Sequence, residues 1–260
     1  MHRRGFLFGF VASLLVAACG GSPPIGPDGM PPGGGGGPNP PPVTTPPTLG
    51  VTRILGFGDS MTEGTTSPSL PVFGALTAGI PESYPYKLQT LMSARYTAQT
   101  ITVLNGGHAG EFTSQGRDRL GGVLSEARPE VMILMEGAND LNAMNGAGLT
   151  DIGPVVNAME DMVREASGRG VQVIVATLPP QRAGGRNAGA GPLLAKYNGE
   201  LKTMASRKGA MLVDLNAMFP VSLIGQDGLH PTEGGYQKFA EIFFDAIKGR
   251  WEVASTSVRR

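Results

Sequence analysis

Five short runs of consecutive apolar residues punctuate the chain, at residues 51–57, 100–104, 131–135, 171–177 and 210–215. Each is rich in Val, Ile, Leu or Met and bounded by Gly, Pro or polar residues, without the alternation of a sheet wetted on one face. Such runs suit parallel strands covered on both sides. Between them lie longer amphipathic stretches, at residues 84–95, 113–127, 152–168, 192–208 and 233–248. In the first, Leu88, Leu91 and Met92 recur at helical spacing. Five strand–helix alternations predict a three-layer α/β domain with right-handed crossovers. Ligands of such sheets bind beyond the carboxyl ends of the strands, so the segments that follow the strands are where chemistry is expected.

The pattern stops short of the N-terminus. Residues 20–50 hold 10 Gly and 11 Pro in 31 positions, a composition that cannot bury enough apolar surface to offset its ordering entropy; it is expected to be a disordered tether. Ahead of it, Arg3 and Arg4 precede a mostly apolar stretch, residues 6–18. That stretch falls short of the roughly 20 residues needed to span a bilayer and has the length of a signal-peptide core. Val16-Ala17-Ala18-Cys19 resembles a bacterial lipobox, which implies lipidation of Cys19 and cleavage before it; Arg3-Arg4-Gly5-Phe6-Leu7 resembles a twin-arginine export motif. The plainer alternative is an ordinary secretory signal with a fortuitous cysteine. The expected organisation is a signal peptide over 1–18, a lipidated tether over 19–50, one domain over 51–248 and a tail over 249–260. An exported protein of the cell envelope, anchored to a membrane by lipid, follows from it.

Charge and cysteine content narrow the partners. The whole chain is formally neutral, with 21 basic and 21 acidic residues, and no basic cluster stands ready to neutralise phosphates; nucleic acid is not an expected partner. Cys19 is the only cysteine, which excludes intramolecular disulfides and multi-cysteine metal or redox sites. No His/Asp/Glu cluster with metal-ligand spacing stands out, and no cofactor is expected.

Four segments carry candidate chemistry. Gly58-Asp59-Ser60 follows the first apolar run, where a serine hydroxyl at a strand-to-helix turn can be exposed beside a helix N-terminus, although such turns are common and no G-x-S-x-G pentapeptide is present. Asp227-Gly228-Leu229-His230-Pro231 precedes the last helix; a carboxylate three residues before a histidine can fix that imidazole's tautomer within one turn. Outside the signal-like segment only His108 and His230 are available as a base for a serine. Asn105-Gly106-Gly107-His108-Ala109-Gly110-Glu111 has glycines that let backbone N–H groups approach a ligand oxygen, or that serve only a tight turn. In Glu136-Gly137-Ala138-Asn139-Asp140, Asn139 can donate to the same oxygen, and Asp140 is expected to cap the segment that follows it.

Together and in this order, these blocks resemble those of the SGNH (GDSL) hydrolases over about residues 51–248. The resemblance implies a flavodoxin-like α/β/α sandwich with five parallel strands and a carboxylic ester hydrolase working through an acyl-enzyme. It implies Ser60 as nucleophile, His230 as general base and then acid, and Asp227 as orienting acid. The oxyanion hole would comprise the N–H groups of Ser60 and Gly110 with the Asn139 side chain. Three positions depart from the family pattern: Ala138 replaces a usual Gly, Phe112 a common Thr, and His108 is not required. Phe112 is either a pocket residue or a core aromatic, and His108 is read as substrate-side polarity or a structural hydrogen bond. Loops 65–81, with Leu70, Val72, Phe73 and Leu76, and 179–191, with Arg182 and Arg186, are expected to shape the pocket for a small-molecule, lipid or glycan ester. A non-catalytic module binding acylated glycans and an acyltransferase are the alternatives.

Overall fold

The computed structural model describes residues 46–65 and 79–253. The signal-like segment, Cys19, most of the Gly/Pro-rich stretch, and Leu70, Val72, Phe73 and Leu76 lie outside the described residues. A two-residue strand β1 (Thr48–Leu49) leads into β2 (Arg53–Gly58), α1 (Ser60–Glu63), α2 (Tyr84–Arg95) and β3 (Thr102–Gly107). Then come α3 (Thr113–Ala127), β4 (Val131–Met135), α4 (Ala138–Gly146), α5 (Gly153–Gly168), β5 (Gln172–Ala176) and α6 (Leu193–Lys208). The chain finishes with β6 (Met211–Val213), α7 (Leu215–Met218), α8 (Glu233–Trp251) and β7 (Glu252–Val253).

Strands β2 to β6 form one parallel sheet in the order β3-β2-β4-β5-β6. Helices α2 and α8 pack together as one flanking layer; α3, α5 and α6 form the other. The three-layer α/β/α sandwich with five parallel strands is therefore the observed architecture. Every residue of β4 is buried, as a central strand covered on both faces requires. The α2–α8 layer is closed by aromatic contacts: Tyr84 packs on Phe239 and Phe243, and Phe219 on Phe239 with ring centres 4.6 Å apart. Full burial of each such ring stabilises the fold by roughly 1.5–3 kcal/mol.

Two strands differ from the hydrophobic pattern. The second runs over Thr102–Gly107 and takes in Asn105-Gly106-Gly107, which the sequence reads as loop. The ladder with β2 continues to the pair Gly58–Gly107, and α1 lies directly on Gly107, where a Cβ would stand 2.1 Å from the Glu63 nitrogen. Glycine there serves helix contact as well as backbone freedom. The fifth strand stops at Val213 because Asp214 turns the chain into α7, its carboxylate accepting from the Ala217 N–H. Helices α1, α4 and α7 are too short to leave a periodic signature and were not expected.

The strand order sets the site. The chain goes from β2 outward to β3, then returns across β2 to β4 on its other side, so the loops after β2, β3 and β4 converge at a switch point. At the opposite end of the sheet, β1 pairs antiparallel with β7, and the Gly50 N–H donates to the Trp251 carbonyl at 2.8 Å. Arg95 grips the Glu252 carboxylate through Nε and Nη2 at 2.5 and 2.7 Å. Trp251, whose placement the sequence leaves open, packs against the core.

Candidate active site

Asp59 is the N-cap of α1, its Oδ1 accepting from the Met61 N–H at 2.9 Å, and this cap sets Ser60 as the first helical residue. Ser60 is only 6% exposed, and its Oγ lies 2.8 Å from Nε2 of His230, 170 positions away in sequence. His230 Nδ1 faces Asp227 Oδ2 at 2.5 Å. The other carboxylate oxygen of Asp227 accepts the N–H groups of Leu229 and His230, both at 3.1 Å. Burial pushes the Asp227 pKa up, but the bonds from His230 and these amides outweigh it and hold the group below the usual carboxylate range. The histidine segment is itself fixed: Gly225 donates to the His230 carbonyl at 2.8 Å, and Thr232 caps α8 through the Gly235 N–H.

The structure thus brings together Ser60, Asp227 and His230 as three linked side chains. Two backbone donors lie on the segments alongside. Neither the Ser60 N–H nor the Gly110 N–H meets an acceptor among the described residues. Asn139 uses its side-chain amide to donate to the Glu111 carbonyl at 2.8 Å, which ties it to the Gly110 loop and leaves its second N–H available. Gly137, the residue that starts this turn, has φ +110°, and a Cβ there would stand 2.5 Å from the Tyr197 hydroxyl oxygen. That hydroxyl donates to the Glu136 carbonyl at 2.9 Å and locks the turn from α6.

The remaining expectations divide. Asp140 stands in the first turn of α4, where its own backbone N–H helps to hold its carboxylate, and its two oxygens also accept from the Thr113 N–H at 3.0 Å and the Thr113 hydroxyl at 2.9 Å, capping α3 across the site. Phe112 is 39% exposed at the start of α3, which excludes the core-aromatic reading. His108 is exposed; its backbone N–H donates to the Gly58 carbonyl at 2.8 Å. Its side chain acts electrostatically on Glu63, whose pKa is raised by burial and pulled partly back by the Ala109 amide and by His108. Arg182 and Arg186 are both exposed, on a loop that serves the acid turn directly. The Arg182 N–H donates to the Gly228 carbonyl at 2.9 Å, and the Asn187 N–H to the Asp227 carbonyl at 2.7 Å. Asn187 also offers its side-chain amide to Asp227 Oδ2 at 3.2 Å. The sequence gives no local sign of this partner, which comes from a loop 40 positions away. Asn142 on α4 holds the same loop by donating to the Asn187 carbonyl at 2.9 Å.

Sequence and structure comparisons bear on the family and the fold. The profile of the GDSL-like Lipase/Acylhydrolase family matches residues 57–238. A multidomain esterase of Ruminococcus flavefaciens is 29% identical over 164 residues, 60% of this chain and 20% of that protein. A GDSL-like esterase of Mycobacterium tuberculosis is 30% identical over 135 residues, 46% of this chain and 40% of that one. The chain therefore spans only a fifth to two fifths of the length of these curated relatives. Among solved structures, a lipase/acylhydrolase from Enterococcus faecalis superposes with a TM-score of 0.62 at 22% identity, covering 80% of this chain and 100% of that one. An acetylxylan esterase from Geobacillus stearothermophilus gives 0.61 at 23% identity, covering 76% and 95%. At such identities these two likenesses speak for the fold, and the profile match over most of the described residues decides the family. This chain belongs to the GDSL-like lipase/acylhydrolase family.

Proposed function

We propose that the chain is a carboxylic ester hydrolase in which Ser60 is the nucleophile, His230 the base and Asp227 the residue that orients it. The observation that carries this reading is the unbroken line from Ser60 Oγ through both ring nitrogens of His230 to Asp227, at 2.8 and 2.5 Å, beside the N–H groups of Ser60 and Gly110, which meet no acceptor among the described residues. With Nδ1 protonated and held by Asp227, Nε2 takes the Ser60 proton as Oγ attacks the ester carbonyl. The carbonyl oxygen, now negative, is received by the Ser60 and Gly110 N–H groups and by the free N–H of Asn139. His230 then returns the proton to the leaving alcohol. A water deprotonated by the same nitrogen releases the acid and restores Ser60. Names of relatives that include esterases support ester substrates as the class.

The test is hydrolysis of p-nitrophenyl esters by the full chain, with acyl length varied from acetate to palmitate, and covalent capture of Ser60 by a fluorophosphonate. Turnover of at least one ester and adduct mass on Ser60 are expected. A folded protein that hydrolyses none of them and takes no label removes the reading. Asn139→Ala is expected to lower kcat by about 10²–10³ with little change in KM, since the lost donor acts on charge that exists only in the transition state. Steady-state kinetics on the best ester checks this, and a wild-type kcat would take Asn139 out of the oxyanion hole.

A further inference from the structure

Beneath the candidate oxyanion hole lies a buried polar group that the reaction above does not use. Glu136 directly follows β4, is fully buried, and neither of its carboxylate oxygens meets a donor among the described residues. A bare carboxylate left in that state is among the costliest things a protein interior can hold. Its neighbour is Glu111, only 3% exposed, whose two oxygens are held by Arg119 at 2.5 and 2.6 Å. The Glu136 and Glu111 carboxylates converge over Gly116, where an added Cβ would stand 3.2 Å from one and 3.5 Å from the other. A protonated carboxyl resolves the conflict, because it can itself donate to the charged partner.

The positions of the two residues matter more than the pair itself. Glu111 follows Gly110 and receives Asn139 on its carbonyl; Glu136 precedes the Gly137 turn that presents Asn139. Arg119, held by Glu111, also donates to the carbonyls of Gly106 and Gly58, the latter two residues before Ser60. We propose that Glu136 is a positioning residue of the oxyanion hole, holding a proton that it donates to Glu111 and so fixing the Gly110 loop against the Asn139 turn. This rests on the ester-hydrolase reading and adds to it a built-in sensitivity to rising pH. Burial, then the negative charge of Asp59, then the adjoining Glu111 carboxylate raise the Glu136 pKa well above the usual carboxylate range. The groups facing it are Asp59 from the β2–α1 turn, Glu111 from the β3–α3 loop, Arg119 from α3 and Tyr197 from α6; Asp140 of α4 acts on Tyr197 and Asp59. Loss of the proton sets two carboxylates against each other with one guanidinium between them, and the hole loosens.

Full-length wild type, Glu136→Gln and Glu136→Met are compared. Glutamine keeps an N–H donor toward Glu111 and cannot titrate; methionine keeps the volume without a donor. Glu136→Met is expected to lower kcat about tenfold or more with little effect on KM, and Glu136→Gln to recover most of that loss. In wild type, kcat falls as pH rises through the Glu136 ionisation, and Glu136→Gln lacks that limb while keeping any owed to Asp59. The infrared difference between wild type and Glu136→Gln at neutral pH shows the carbonyl stretch of a protonated carboxyl, whether or not an ester is cleaved. Absence of that band, or a kcat–pH profile identical in wild type and Glu136→Gln, overturns the proposal even if Glu136→Met does not fold. The band present in a wild type that cleaves no ester strikes the hydrolase reading instead.

Discussion

Replacing Ser60 by alanine is expected to lower kcat on the best p-nitrophenyl ester by a factor on the order of 10⁴ to 10⁶, leaving only what the oxyanion donors and binding can supply. The size follows from what is removed: the attacking atom itself, so that His230 is left to activate water from a place built for a serine oxygen. Folding should survive. The Ser60 side chain bonds only to His230 among the described residues, α1 is capped by Asp59, and alanine is a better helix former than serine. Thermal unfolding of the variant near the wild-type temperature, together with the loss of turnover, is the expected pair of results. A Ser60→Ala variant that still hydrolyses ester at the wild-type rate would place the chemistry elsewhere.

The second large effect is expected from Asp227→Asn, a change of one atom that should cost about 10⁴ in kcat by reversing a proton's address. The Leu229 and His230 N–H groups both point at Oδ1, so the carbonyl oxygen of the asparagine must take that side. Its NH₂ group then faces His230 Nδ1 and forces that nitrogen to be the acceptor. The proton moves to Nε2, where it points at Ser60 and leaves no lone pair to receive the serine proton. The new NH₂ also confronts the Asn187 amide, which now donates to Oδ2 at 3.2 Å, so a modest fall in stability accompanies the kinetic one. Rate measurements at several pH values, with unfolding followed in parallel, separate the two. Equal activity in the wild type and the Asp227→Asn variant would deny Asp227 its orienting role.

How much of this was legible beforehand depends on the distance over which each residue acts. Helices α2 and α3 are read from the sequence to the residue, because capping and apolar spacing are local. Asp227 and His230 are legible for the same reason: the bond between them closes within a single turn. Ser60 is legible only as a hydroxyl at a strand end, its link to His230 needing the resemblance and then the fold. Asp140 shows how far local reasoning reaches, since proximity assigns its carboxylate to its own helix, and the fold adds Thr113 from 27 positions away. Asn187 and Glu136 were missed altogether. Asn187 sits in a loop whose arginines drew attention to substrate, and Glu136 follows an apolar strand where nothing nearby announces a second buried carboxyl. Asn105–Gly107 reads as a turn from glycine content, yet the missing Cβ serves the close approach of α1.

The small β1–β7 ribbon has a consequence for how the domain can be handled and displayed. Because Leu49 and Glu252 are neighbours in a ladder, a short loop could join the two ends and new ends be opened in an exposed connection elsewhere, a circular permutation that leaves the sheet order intact. The same ribbon sits under the sheet's amino edge, so cargo, resin or a partner domain fused to either side of it hangs below the floor. Such fusions stand at the end of the sheet away from Ser60.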